Sequence, residues 1–442
     1  MSGARPFLLE TDEGRPSFIN YGFPCPKVAG SSGGILGLSR ALLLNRNIRV
    51  IAITGLISGI YIGMLNLALQ LFPLTIGLSV PAIGILMALG NRFSGATATL
   101  IQPLAGHYSD LHSRKQSILL GSGTTIASML CFAWAALTSN GYLVLVAFLL
   151  YGVSILGSPA TQAMVAESVE MDPHKMDVAY SLTFFLGTIP GVLSPYLAGS
   201  MADSYGYLVV FAAAALLECV DLYLYWRGLS ETTHAASPDP DRGTKFSLRE
   251  AFTFPRSAWG LYGALAADAF AFGITANIIY AMAQDQFRFS DAEIGLLVSV
   301  FYLAMLASQF PATRLLIMLG PKKTLVLSEA IGTVLMAGWA LSSSLPEFLV
   351  LSVLFGTSVT TWVPGVSSLL MTHAPPKTRG GVGGRVAAFR GLVAAPAPII
   401  GGFLYQYFGY DTPILASMLG TMVCVALMLR YLPERPRQNG QI

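Results

Sequence analysis

The chain has 442 residues, 54% of them hydrophobic and only 11% charged, with a mean hydropathy of +0.62. Soluble domains carry about 25% charged residues, so this composition excludes a soluble enzyme or soluble binding module. A net charge of +3 with no dense Lys/Arg tract excludes nucleic acid as a partner and leaves the lipid bilayer as the expected surroundings.

Residues 1–48 mix Pro, Gly, Ser and charge without an uninterrupted apolar stretch, which reads as a cytosolic N-terminal tail and not a signal peptide. Within it, Ile35–Leu44 can form a short surface helix. Six apolar windows follow within residues 49–228, near 50–70, 81–105, 116–137, 142–165, 178–200 and 208–227. Residues 229–256 form a polar cytosolic linker containing Ser237-Pro-Asp-Pro-Asp241. Its end, Ser247-Leu-Arg-Glu250, has the capping-box spacing of a short helix lying on the membrane surface. Six more windows occupy residues 257–431, near 258–280, 292–313, 324–344, 348–371, 386–405 and 413–431, before a tail at 432–442. A window of ~20 apolar residues spans ~30 Å of hydrocarbon, and backbone groups inside lipid must be paired within the segment, so the windows are helices. The expected fold class is an all-α membrane protein with 12 transmembrane helices in two pseudo-symmetric six-helix bundles.

With both termini in the cytosol of a plasma (inner) membrane protein, all of the 26 Lys and Arg except Arg92 and Arg288 fall on the inner side, as the positive-inside rule requires. Cys25, Cys131, Cys219 and Cys424 form neither a CxxC pair nor a disulfide framework. All five histidines fall in or beside cytosolic loops, so neither haem ligation nor a membrane metal site is expected. No GxxxxGK[ST] loop occurs, and no catalytic constellation can be located. The chain reads as a non-enzyme with no cofactor and no metal, and as a monomer.

The two halves echo each other. Pro195, Gly199 and Gly206-Tyr207 recur 203 positions on at Pro398, Gly402 and Gly409-Tyr410; Asn66, Ser79 and Ile83-Gly84 recur 211 positions on at Asn277, Ser290 and Ile294-Gly295. Such a repeat suggests duplication of a six-helix unit, and internal repeats of this kind mark secondary transporters with a site near mid-membrane between the halves. In span one, Gly55, Gly59 and Gly63 form one small face on which a neighbour can pack closely.

After span two stands Gly106-His-Tyr-Ser-Asp110-Leu-His-Ser-Arg114-Lys115. This resembles the loop between helices two and three of the major facilitator superfamily, whose pattern is Gly-x-x-x-Asp-Arg/Lys-x-Gly-Arg-Arg/Lys. Leu111 and Ser113 depart from it, replacing a cation and a glycine. The second half keeps Gly320, Lys322 and Lys323 of the equivalent loop but lacks its acid. The resemblance implies the major facilitator fold and a cytosolic gate. In that gate Asp110 lies against the positive N-terminal end of helix eleven, and Arg114 meets an acid at the end of helix four, Glu167 or else Glu170. Lys115 reads as a topology-setting cation. Pro190-Gly191-Val-Leu-Ser194-Pro195-Tyr-Leu-Ala198-Gly199 on span five resembles the gate-helix element of the family's antiporters, and Pro398 to Gly402 gives span eleven a similar hinge. The arginine that drug–proton antiporters carry in helix four is absent from Phe148-Leu-Leu-Tyr151-Gly152.

A charge at the bilayer centre costs ~2.5–3.5 kcal/mol on insertion scales, so Arg92 and Asp268 need a reason. By resemblance, helices one, four, seven and ten line the cavity. Asp268 is then the protonatable coupling residue, with Arg92 as its partner or the substrate's anion contact. The competing reading is a static pair holding the halves in register. Asn66, Asn277, Gln162, Trp362 and Tyr61 are the further cavity candidates. Glu218, Asp221 and Glu329 read as support residues, and Arg390, near the start of span eleven, as a side chain that snorkels to the surface. The expected function is secondary active transport of a small organic solute, coupled to a proton and directed toward export. The alternatives are an ion-independent facilitator and a transporter-like assembly factor or receptor.

Overall fold

The computed structural model describes residues 34–169, 173–232, 259–373 and 379–432. The expected linker helix at 247–256, most of both tails and Glu170 lie outside the described residues. Helix occupies all twelve apolar windows, and among the described residues ten stretches are long and apolar enough to cross a membrane. The short helix before span one runs Gly34–Leu42 and buries Leu42.

Span one is Arg46–Thr75, started by Asn45, whose side chain accepts from the backbone N–H groups of Asn47 and Ile48. Span two was expected to be continuous, but it divides into Val80–Gly90 and Ala96–Leu111, with Asn91–Gly95 non-helical between them. The Asn91 side chain accepts from the N–H groups of Phe93 and Ser94, an alternative to the helical ladder that stabilises the break. Span three is Arg114–Thr138, and span four runs Gly141–Ser168 through a 3₁₀ turn. Span five joins Pro173–Thr188 to Ser194–Tyr205 through a 3₁₀ turn at Ile189–Val192, where Pro190 removes a backbone donor. Span six is Tyr207–Gly228.

In the second half, span seven joins Trp259–Ala276 to Ile279–Phe287. Spans eight and nine form one helical run, Asp291–Leu341, that turns at Gly320 with φ +76°. Only glycine adopts that conformation readily, which accounts for the one loop glycine this half keeps. Span ten is Leu345–His373, span eleven joins Arg379–Ala394 to Ala397–Phe408 across Ala395-Pro396, and span twelve is Asp411–Tyr431.

The small face of span one packs on span five: a Cβ at Gly59 would lie 2.2 Å from the Gly187 carbonyl oxygen, and one at Gly63 2.0 Å from Ser194 Oγ. The residues of the sequence repeat meet where the halves touch. A Cβ at Gly84 would stand 2.2 Å from the Pro398 carbonyl oxygen, and one at Gly295 2.5 Å from that of Pro195. Likewise Gly199 abuts the Asp291 carbonyl and Gly402 abuts Pro81. Spans two and eleven, and five and eight, thus approach backbone to backbone through pseudo-symmetric glycines. Among the described residues, the hydrogen bonds joining the halves lie at mid-depth or on the face opposite the start of span one: Asn66 to Tyr302, Tyr196 to Ser299, Tyr280 to Gln70, and Asp291 and Ala292 to Asp203. That far face is closed.

Candidate functional site

Four helices of the second half bring charge together inside the membrane. Asp268 on span seven is 4% exposed. Its Oδ2 lies 3.5 Å from Arg390 Nη2 of span eleven, and Arg390 Nε donates to the Leu265 carbonyl at 3.0 Å. The guanidinium stacks over Trp362 of span ten, 4.2 Å from the ring centroid, a geometry that attracts a cation to the ring face. Glu329 of span nine, itself buried, stands beside Asp268.

This arrangement corrects three expectations. Asp268 faces Arg390, and Arg92 does not reach it. Arg390 does not snorkel: its helix begins at Arg379, so it lies eleven residues, or ~16 Å, along span eleven. Asp268 lies ~13 Å past Trp259 on span seven, at a similar depth. Glu329 belongs to the charged group and is not a remote support residue. The signal for Arg390 was obscured by Arg379-Gly-Gly-Val-Gly-Gly-Arg385, a glycine-rich run that hydropathy reads as loop.

Arg92 sits in the non-helical turn of span two and faces Tyr61 of span one, Tyr151 of span four and Glu218 of span six. Tyr61 is buried in this same group, so it belongs to the first bundle's interior. Asn66 donates to the Tyr302 hydroxyl across the halves, and a Cβ at Gly191 would press on the Tyr302 ring at 2.7 Å. Asn277 is half-buried beside Gly273, and Gln162 is exposed, its backbone carbonyl accepting from Tyr180. The proline–glycine elements stand at span breaks: Pro190 and Gly191 in the turn of span five, Pro195 in the first turn after it, and Pro398 in the first turn after the break of span eleven.

The loop after span two forms a polar knot. Arg114 Nη1 pairs with Asp110 at 2.5 Å and donates to Ser109 Oγ at 2.7 Å, while Nη2 reaches Glu167 at 3.1 Å. Glu167 is thus the acid that Arg114 meets. Asp110 remains 62% exposed at its side chain; residues 374–378, before span eleven, lie outside the described residues, as do the first side chains of that helix. Ser113 adopts φ −145° and caps span three by accepting from Gln116 N–H, so this loop uses no left-handed turn where the family pattern has glycine. Gly106 is helical and loosely packed, 3.9 Å from Pro159 at a built Cβ. Glu231, just past span six, was not anticipated: it accepts from Ser113 Oγ and from the N–H groups of Arg114 and Lys115, while Lys115 Nζ donates to the Leu229 carbonyl at 3.0 Å. Lys115 therefore ties the linker's start to the loop as well as adding positive charge.

Two helical bundles with internal pseudo-symmetry, broken spans and buried charge at mid-depth have the architecture of a membrane transporter. The chain belongs to the Major Facilitator Superfamily, whose family model matches residues 51–283 and 261–442. It is 23% identical over 341 residues to the uncharacterized MFS-type transporter YqjV of Bacillus subtilis (strain 168), covering 76% of this chain and 81% of that one. Among solved structures it resembles a point mutant of the nucleoside transporter NupG, with a TM-score of 0.71 and 11% identity over 88% of this chain and 100% of that one. It also resembles a D-xylose–proton symporter, with a TM-score of 0.67 and 15% identity over 88% of this chain and 98% of that one.

Proposed function

We propose that the chain is a secondary transporter that carries a small organic solute by alternating access, with a proton as coupling ion and Asp268 as the residue that exchanges it. The observation that carries this reading is the charge count at Asp268, Glu329 and Arg390. Two buried carboxylates share one guanidinium, and a carboxylate removed from water without its own cation is driven to the neutral form. A proton held between Asp268 and Glu329 balances the group, and a change in the distance to Arg390 alters how firmly it is held.

The orientation that agrees with the positive charge distribution puts both termini in the cytosol of the plasma membrane, so the closed far face is the external one. The solute cleft lies between the halves, with Trp362 and Asn277 contributing an aromatic face and an amide, which suits an amphipathic solute. Relatives in fold that carry nucleosides and D-xylose support a small organic cargo. The proline-containing turn of span five supports export, by analogy with the antiporter element it resembles.

The test is transport in proteoliposomes across a candidate solute panel with and without a pH gradient. Asp268→Asn is expected to abolish proton-driven accumulation while leaving solute equilibration; undiminished proton coupling in that variant refutes the assignment.

A further inference from the structure

The first bundle holds a second buried acid group that the mechanism above does not use. Asp221 on span six is 0% exposed, and among the described residues neither of its carboxyl oxygens has a hydrogen-bond partner. Glu218, one helical turn away on the same face, is 2% exposed; it accepts from Ser122 Oγ of span three and lies within hydrogen-bonding reach of the Tyr61 hydroxyl of span one. Tyr61 from span one, Arg92 from span two and Tyr151 from span four face Glu218, and Tyr225 from span six itself faces both acids. Arg92 is the single cation among them, and span three supplies only the Ser122 hydroxyl.

Two carboxyls and one guanidinium leave one negative charge in excess, in a place where an unpaired carboxylate is disfavoured. We propose that Glu218 and Asp221 form a second proton-binding site of the carrier, loaded through the movement of Arg92. This arginine is not on a helix but in the Asn91–Gly95 turn of span two. The two pieces of span two that flank the turn both press on span eleven of the other half, at Gly84 against Pro398 and at Thr99 against Gly391. Any rocking of one half against the other therefore strains the turn and shifts Arg92 relative to Glu218. With Arg92 in place the pair holds one proton, on Asp221; with Arg92 withdrawn it holds two, the second taken from water onto Glu218 and returned when Arg92 comes back. One proton is exchanged per movement and no other species is consumed.

The site stands apart from Asp268, so it can be tested without a substrate. Infrared spectra of the purified full-length chain in liposomes near neutral pH read the carbonyl stretch of protonated carboxyls. Asp221→Asn is expected to remove a component equivalent to one carboxyl that Asp268→Asn leaves in place, and Arg92→Gln is expected to add one. A spectrum unchanged by Asp221→Asn, or a protonated-carboxyl band not increased by Arg92→Gln, overturns the proposal. Should Asp221→Asn fail to fold, the Arg92→Gln spectrum alone decides. Loss of coupling at Asp268 with these outcomes intact, or the reverse, separates this site from the first.

Discussion

Replacing Gly84 and Gly295 with alanine tests the far-face closure directly. A Cβ at Gly84 would lie 2.2 Å from the Pro398 carbonyl oxygen and 2.9 Å from its carbon, where ordinary contact begins at 3.4 Å. The shortfall of about 1.2 Å cannot be relieved by a rotamer, because the opposing atoms are backbone. At Gly295 the equivalent distance to the Pro195 carbonyl is 2.5 Å. Overpacking of this kind costs about 1–3 kcal/mol. Because the contact joins the halves, opening the far face removes the clash, so the cost falls on the closed conformer and not on folding. At 1.4 kcal/mol per factor of ten, each substitution favours the open conformer by about 5- to 150-fold. Spin labels at Ser139→Cys and Arg288→Cys, in a background with the four native cysteines replaced, report the separation of the halves on this face by pulsed dipolar spectroscopy. The longer-distance population is expected to grow in each single variant and more in the double. Gly123→Ala, where a Cβ would meet nothing within 4 Å, should leave the distribution unchanged. A double variant that folds and keeps the wild-type distribution refutes the role given to these contacts.

Asp203→Ala removes the carboxylate that accepts from Asp291 N–H at 3.1 Å and Ala292 N–H at 2.9 Å. At about 1 kcal/mol for a helix cap, it should open the same label pair roughly fivefold. Arg390→Ala leaves Asp268 and Glu329 facing each other without a cation, a change worth about 3–5 kcal/mol where a buried pair is broken; thermal unfolding should show a large loss that Asp268→Asn added to it partly restores. Glu231→Gln weakens the acceptor that gathers Ser113, Arg114 and Lys115. It should cost about 0.5–1 kcal/mol as a capping change, and increase proteolytic cleavage in the linker after Thr232. No increase in cleavage would show that Glu231 does not hold the linker to the loop.

Much of the fold was legible because the apolar length of each span can be read from the sequence alone. Arg114 with Glu167 was legible through the resemblance of the loop after span two to the family pattern, which implies an acid at the end of helix four. The group around Asp268 was only half legible. A carboxylate inside an apolar run announces itself, and Trp362 on span ten followed from the cavity-lining helices. The partner did not follow, because Arg390 is carried inward by a helix whose first turns are glycine and arginine, which no apolar window includes. Glu329 could not be placed because its contact with Asp268 depends on how span nine is rotated behind spans seven and ten. The break at Arg92 did have a signal: Asn91-Arg-Phe-Ser-Gly95 is turn chemistry inside an otherwise apolar stretch.

The repeat and the charges obey different physical constraints. Where Gly84 meets Pro398 and Gly295 meets Pro195, backbone touches backbone on both sides of the pseudo-symmetry axis. No side chain is present there to compensate for a change, so the same residue type is required in each half. Charge has no such restriction, since a cation can reach one carboxyl group from any helix that borders it. The first bundle supplies its arginine from span two to acids on span six; the second supplies it from span eleven to acids on spans seven and nine. Both arginines belong to spans that pack together across the halves, Arg92 in the turn that divides span two and Arg390 on span eleven. On the proposed reading, movement at that shared contact shifts the cation of each acid group at once, which ties the two proposed proton sites to one mechanical event while leaving their chemistry independent.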